Sequence, residues 1–129
     1  MVPIDVRASH GTLLQDLFLI DTGADRTVLS AFFAGRLNLP VNPSPPGYGL
    51  VGISGETAFV LINTALQFIR TDGGPARVNG QFAAFLDTRA TDYSVLGRDV
   101  LNNFDVIVSR RRNEVLLLAP NHQYQVTRA

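Results

Sequence analysis

The residues best suited to chemistry are Asp21-Thr22-Gly23, which follow directly on the apolar run Leu17-Phe18-Leu19-Ile20. An apolar strand that ends in a carboxylate delivers an acid into a tight turn at a buried strand end, where a group able to give and take a proton serves general acid–base catalysis. Gly23 lets another backbone approach closely, and the Thr22 hydroxyl is short enough to lock the turn by hydrogen bonding. Taken alone, Asp-Thr-Gly is also an ordinary turn after a strand, because all three residues favour turns. The triplet arises by chance in roughly a few per cent of chains of this length, so its weight depends on what accompanies it. The chain has no cysteine, which excludes thiol nucleophiles, disulfides and thiolate metal sites. His10 and His122 fall in loop and tail positions without neighbouring ligands, and no metal or other cofactor is expected.

The elements that must position Asp21 read as mostly β. Short apolar runs alternate with Gly, Pro, Asn and Asp, giving strands at about Pro3 to Ala8, Leu13 to Ile20, Ala58 to Phe68, Phe82 to Leu86, Ser94 to Leu96, Phe104 to Val108 and Val115 to Leu118. Hairpin turns are expected at Ser9 to Thr12, Thr71 to Pro75 and Arg110 to Asn113. One short helix follows Gly97, over Arg98 to Asn103, and a weaker turn is placed at Ser30 to Leu37. Four prolines and two glycines between Asn38 and Gly49 exclude a helix or a central strand there and predict a surface arm.

At 129 residues the chain is read as a single domain spanning positions 1–129, large enough for its own core. Hydrophobic residues make up 46% and charged residues 17%, which excludes a disordered chain and hints at a buried subunit contact. Equal numbers of basic and acidic residues, 11 each, leave no electrostatic footprint for nucleic acid or an anionic membrane. The apolar runs are too short to span a bilayer, and no signal peptide is read at the start. A cysteine-free chain of this kind is compatible with the cytoplasm, without assigning a compartment.

Three blocks, in order, strengthen the acid–base reading. Asp21 through Leu29 resembles the active-site turn of the retropepsin-like aspartic protease family at all nine positions, including the hydroxyl at Thr27 and the apolar residues after it. Gly52-Ile53-Ser54-Gly55, at the tip of an expected hairpin, is similar to that family's glycine-rich flap. Tyr93 through Leu101, with Val95-Leu96-Gly97-Arg98 at its centre, resembles its second signature near the C-terminal end. Each of the last two blocks alone is also an ordinary hairpin turn or strand-to-helix junction. The resemblance covers roughly Pro3 to Phe104 and implies a small closed β-barrel with a flap at about 47–59. The tail at 120–129 and the proline-rich arm at Val41 to Pro46 have no assigned counterpart.

The resemblance also implies roles. Asp21 would be the catalytic acid of an endopeptidase, with Thr22 bracing the turn across a twofold axis and Gly23 offering its carbonyl to substrate. Gly23 and Ala24 would line the cleft, with Leu19, Val28, Tyr93 and Val95 as apolar side-chain pockets. Asp25 would pair with Arg98, next to Gly97, as structural support. Arg26 stands where retroviral members often carry an acid, and would turn preference beside the cut toward acidic groups. Gly52, Ile53, Ser54 and Gly55 would close over an extended peptide. No other aspartate is followed by Thr-Gly or Ser-Gly, so a homodimer would supply the second carboxylate by symmetry. Val115 to Leu118 could supply a strand to that interface or belong to the core. The alternative left open is a catalytically silent dimer that binds extended peptides or partner proteins.

Overall fold

The computed structural model describes residues 1–43, 50–52, 55–57, 59–70 and 73–120, with backbone alone for 50–52 and 55–57. Its strands are β1 (Val2–Arg7), β2 (Leu13–Ile20), β3 (Val28–Leu29), β4 (Asn42–Pro43), β5 (Leu50–Gly52), β6 (Gly55–Thr57), β7 (Phe59–Ile69), β8 (Pro75–Phe85), β9 (Ser94–Leu96), β10 (Asp105–Ser109) and β11 (Glu114–Leu118). Two helices, α1 (Ala31–Leu37) and α2 (Arg98–Leu101), complete the set.

The main sheet runs β1-β2-β9-β3-β8-β7 and closes on itself where β7 returns to β1, with Asp5 opposite Gln67 and Val6 opposite Leu66. The result is a six-stranded barrel. Its inside is read out by period-two alternation. Ile4 and Val6 of β1, Phe18 of β2, Ile62 and Leu66 of β7, Phe82 and Ala84 of β8 and Leu96 of β9 share one buried cluster. Phe33 and Leu37 of α1 and Val100 and Leu101 of α2 join it. Each large side chain buried this way contributes on the order of 1.5–3 kcal/mol. Val28, Phe59, Leu61 and Ala83 form a second, smaller cluster.

The β1–β2 hairpin turns through a single 3-10 turn, with His10 at φ 61° and Gly11 at φ 77°. The β10–β11 hairpin forms a separate two-stranded sheet and turns through Asn113 at φ 52°. Both are where turn residues predicted them. β5 and β6 pair antiparallel, Gly52 opposite Gly55, so the hairpin expected of a flap is present, while Ile53 and Ser54 at its tip lie outside the described residues. Proline tolerates only an edge position in a sheet, and Pro43 sits on the outermost strand, β4. The rest of the proline-rich arm and positions 121–129, including His122, lie outside the described residues.

Three elements differ from the sequence reading. β8 begins at Pro75, seven residues before Phe82. Its first half is half-buried or exposed and is held by the ladder to β7, so it carries little apolar signal. β3, only two residues long, was not expected; it gains its place by bridging β9 and β8. In addition to the C-terminal helix, Ala31–Leu37 is a true helix. The Ser30 hydroxyl caps it by accepting the Phe33 N–H at 3.3 Å, and Asn38 ends it at φ 51°. Among the described residues, no helix is long and apolar enough to cross a membrane, and no group of three or more His, Cys, Asp or Glu could hold a metal ion.

Candidate active site

β2 ends at Ile20, and the Asp21 N–H donates to the Leu96 carbonyl at 3.0 Å. The parallel pairing of β2 with β9, which sets Leu19 opposite Val95 and Ile20 opposite Leu96, therefore carries straight into the turn. Within the turn the Gly23 N–H donates to Asp21 Oδ1 at 2.9 Å, and the Ala24 N–H to the Asp21 carbonyl at 3.2 Å. A Cβ on Gly23 would stand 3.2 Å from that same Oδ1, so glycine leaves the carboxylate its place. Asp21 is half-buried, whereas Thr22 and Gly23 are exposed. In the chain by itself, the acid at the end of the apolar strand is thus only partly buried.

Beyond the turn, the chain is fastened to α2. The Arg98 N–H donates to the Ala24 carbonyl at 2.8 Å and the Asp99 N–H to the Asp25 carbonyl at 3.3 Å. In the opposite sense, Asp99 Oδ1 accepts from the Thr27 N–H at 2.9 Å and the Thr27 hydroxyl at 2.7 Å. Thr27 Oγ1 in turn accepts the Gly97 N–H at 3.0 Å. The expected Asp25–Arg98 ion pair is present. Its side chains are 83% and 47% exposed, so water screens it and its own stabilisation is small. The buried Thr27, fully inaccessible, and Asp99 do more of the holding. Sequence reading placed both in the matched blocks and gave neither a function. The available signal was an acid in the first turn of a helix, a position that suits exposed backbone N–H groups.

Three of the four residues expected to form side-chain pockets, Leu19, Val28 and Val95, share a row. Register sets Leu19 beside Val95, Val95 beside Val28, Val28 beside Ala83 and Ala83 beside Leu61, an apolar line across five strands. Exposure falls along it from 37% at Leu19 to 7% at Val28. Tyr93 precedes β9, and its backbone is bracketed by Thr91, whose hydroxyl donates to the Tyr93 carbonyl at 2.8 Å and accepts its N–H at 3.3 Å. Arg26 is half-buried. In the connection between β8 and β9, which also carries Tyr93, the Asp87 carboxyl is held below its ordinary range, chiefly by the Arg89 backbone N–H and then by the Arg89 side chain. A groove of about 650 Å³ opens elsewhere, among Val2, Phe68, Phe104 and Leu116, and reaches Ile20. Asp21, Thr22 and Gly23 do not line it.

A polar relay supports the same strands from behind. The Ser94 hydroxyl, inaccessible to solvent, donates to Asp16 Oδ2 at 2.6 Å and accepts the Ser30 N–H at 3.1 Å. Ser94→Ala removes both bonds at once and leaves a buried donor without its acceptor. The expected loss is about 1–3 kcal/mol of unfolding free energy, read as a lower urea midpoint with unchanged slope.

Comparison with known proteins agrees with this geometry. Residues 10–100 match the family model described as aspartyl protease. No curated protein sequence gives a match. Among solved structures, a retropepsin-like aspartic protease from Rickettsia conorii is similar, with a TM-score of 0.58 and 19% identity, over 91% of this chain and 88% of that one. The EIAV protease complexed with the inhibitor HBY-793 gives 0.55 and 22% over 78% and 83%. The retroviral protease-like domain of Ddi1 from Leishmania major gives 0.51 and 14% over 95% and 90%. At these identities the structures testify to the fold, and the family model to membership: the chain belongs to the aspartyl protease family and has its retropepsin-like β-barrel fold.

Proposed function

We propose that the protein is an aspartic endopeptidase whose active site forms when two copies bring their Asp21 side chains together. The observation that carries this reading is the Asp21 turn itself: a half-buried carboxylate, hydrogen-bonded by Gly23 and clamped to β9 and α2, with Thr22 and Gly23 exposed beside it. One chain supplies one such turn, and a twofold contact supplies its equal.

Two carboxyls at contact distance share a proton, the established behaviour of aspartic proteases. The ionised member takes a proton from a water held between them as the water oxygen bonds to the peptide carbonyl carbon. The protonated member gives its proton to the carbonyl oxygen. Collapse of the resulting diol breaks the C–N bond, with a proton passing to the leaving amine and the shared proton returning to the pair. Every atom comes from the peptide and one water; neither a metal nor a covalent enzyme intermediate is needed. An extended peptide lying along the apolar row of Leu19, Val95 and Val28, under the β5–β6 hairpin, would favour apolar groups near the cut. Arg26 would favour an acidic group nearby.

Cleavage of a mixed peptide library by the purified chain tests the reading. Activity per subunit is expected to fall on dilution, approaching proportionality to subunit concentration once most chains are monomeric. Constant activity per subunit while sizing shows monomer alone would overturn the shared site. Peptide binding without any cut at high concentration would identify a binding protein instead.

A further inference from the structure

We propose that Asp99 is a positioning residue for Asp21, an inference that rests on the peptidase reading above. Asp99 Oδ1 accepts three hydrogen bonds, from the Thr27 N–H at 2.9 Å, the Thr27 hydroxyl at 2.7 Å and the Val100 N–H at 2.9 Å. Val100 belongs to α2 and Thr27 lies 72 residues away in sequence, so one oxygen joins the first turn of the helix to the far end of the Asp21 loop.

The geometry makes this oxygen the hinge pin of the loop. Asp21 is held at its own N–H by Leu96, the residue before Gly97. Six residues later, Thr27 is held by Asp99, two residues after Gly97. The loop from 21 to 27 is thus pinned at both ends to one four-residue segment, 96–99, and the backbone bonds to Ala24 and Asp25 lie between the pins. Thr27 is fully buried, and the side chain that receives its N–H and hydroxyl is that of Asp99, itself an exposed residue. Removing the Asp99 carboxylate leaves the Thr27 N–H and hydroxyl without an acceptor, and the loop's relief is to move. Displacement of a reacting group by about 1 Å costs on the order of a hundredfold in rate, so loss of this pin reaches the carboxylate without Asp99 touching substrate.

The Asp25–Arg98 pair is the alternative pin, and the two differ in setting. The ion pair stands in water, whereas the Asp99 bonds end on a residue closed off from it. Bonds to a buried donor are the ones whose loss is not made good by solvent.

The experiment compares native chain, Asp99→Ala and Asp99→Asn, each normalised to folded dimer by sizing and circular dichroism. Asparagine keeps an oxygen able to accept the same three bonds. For Asp99→Ala, kcat is expected to fall about 10–100-fold with KM within about threefold, and Asp99→Asn is expected to return to within about threefold of native. The Gly23 amide resonance, which reports its bond to Asp21 Oδ1, is expected to move in Asp99→Ala together with that of Thr27, and to keep its native position in Asp99→Asn. Native kcat per folded dimer in Asp99→Ala, or a Gly23 resonance that stays put while Thr27 moves, would overturn the proposal. A native chain that cuts no peptide rejects the peptidase reading, while the Gly23 resonance still decides whether Asp99 positions Asp21.

Discussion

Asp21→Asn is expected to abolish cleavage while leaving the fold intact. Asparagine has the size of aspartate and retains an oxygen for the Gly23 N–H, the 2.9 Å contact that sets the turn. What it cannot do is exchange a proton. A kcat/KM loss of at least about a thousandfold is expected, the scale of removing a general acid or base, with unfolding free energy changed by no more than about 1 kcal/mol. The variant also tests sharing of the site. If pairs form at random, a fourfold excess of variant chains leaves about one native chain in five with a native partner, so activity per native chain drops about fivefold by mass action. Peptide cutting by Asp21→Asn at the native rate would remove the carboxylate from the mechanism. Undiminished activity in the mixture would show that each native chain works alone.

The second large effect is expected at Gly97. A Cβ built there would lie 2.4 Å from the Arg26 carbonyl carbon, 2.5 Å from its oxygen and 2.9 Å from the Thr27 nitrogen. All three are backbone atoms, so no side chain can swing aside. Gly97 has φ −102°, an unstrained conformation for any residue, and the requirement is therefore one of space. Gly97→Ala must push apart the Asp21 loop and the start of α2, stretching the Gly97–Thr27, Arg98–Ala24 and Asp99–Thr27 contacts together. A loss of about 3 kcal/mol or more is expected, with peptide cutting lost alongside it. Gly35→Ala is the control. It lies inside α1, nothing stands within 4 Å of its would-be Cβ, and alanine there is expected to be neutral or to stabilise by up to about 1 kcal/mol. Urea midpoints for the two variants check the contrast, and a Gly97→Ala midpoint equal to native would refute the close approach.

What could be read from sequence follows from where the information is local. Leu17 to Ile20 followed by Asp21 announces both a strand and its end, and β2 finishes at Ile20. The β10–β11 hairpin was legible because Asn113 accepts the left-handed conformation its turn requires. β3 was not, since two residues show no period and Val28 and Leu29 are strand only because β8 and β9 lie on either side. Within the site, the Asp25–Arg98 partnership was legible through family likeness, although exposure makes it the weaker tie. The stronger Asp99–Thr27 tie joins residues 72 positions apart, and nothing in the neighbourhood of either residue announces the other.

The pairing of β2 with β9 has a bearing on when this protein can first act. As the ribosome releases the chain from its N-terminus, the Asp21 segment emerges more than seventy residues ahead of the strand and helix that hold it. Contacts of such long range form late and slowly. On the peptidase reading proposed above, the Asp21 turn of a nascent chain is expected to stay unpinned until the Leu96 to Asp99 stretch has been translated and has docked, a delay written into strand order.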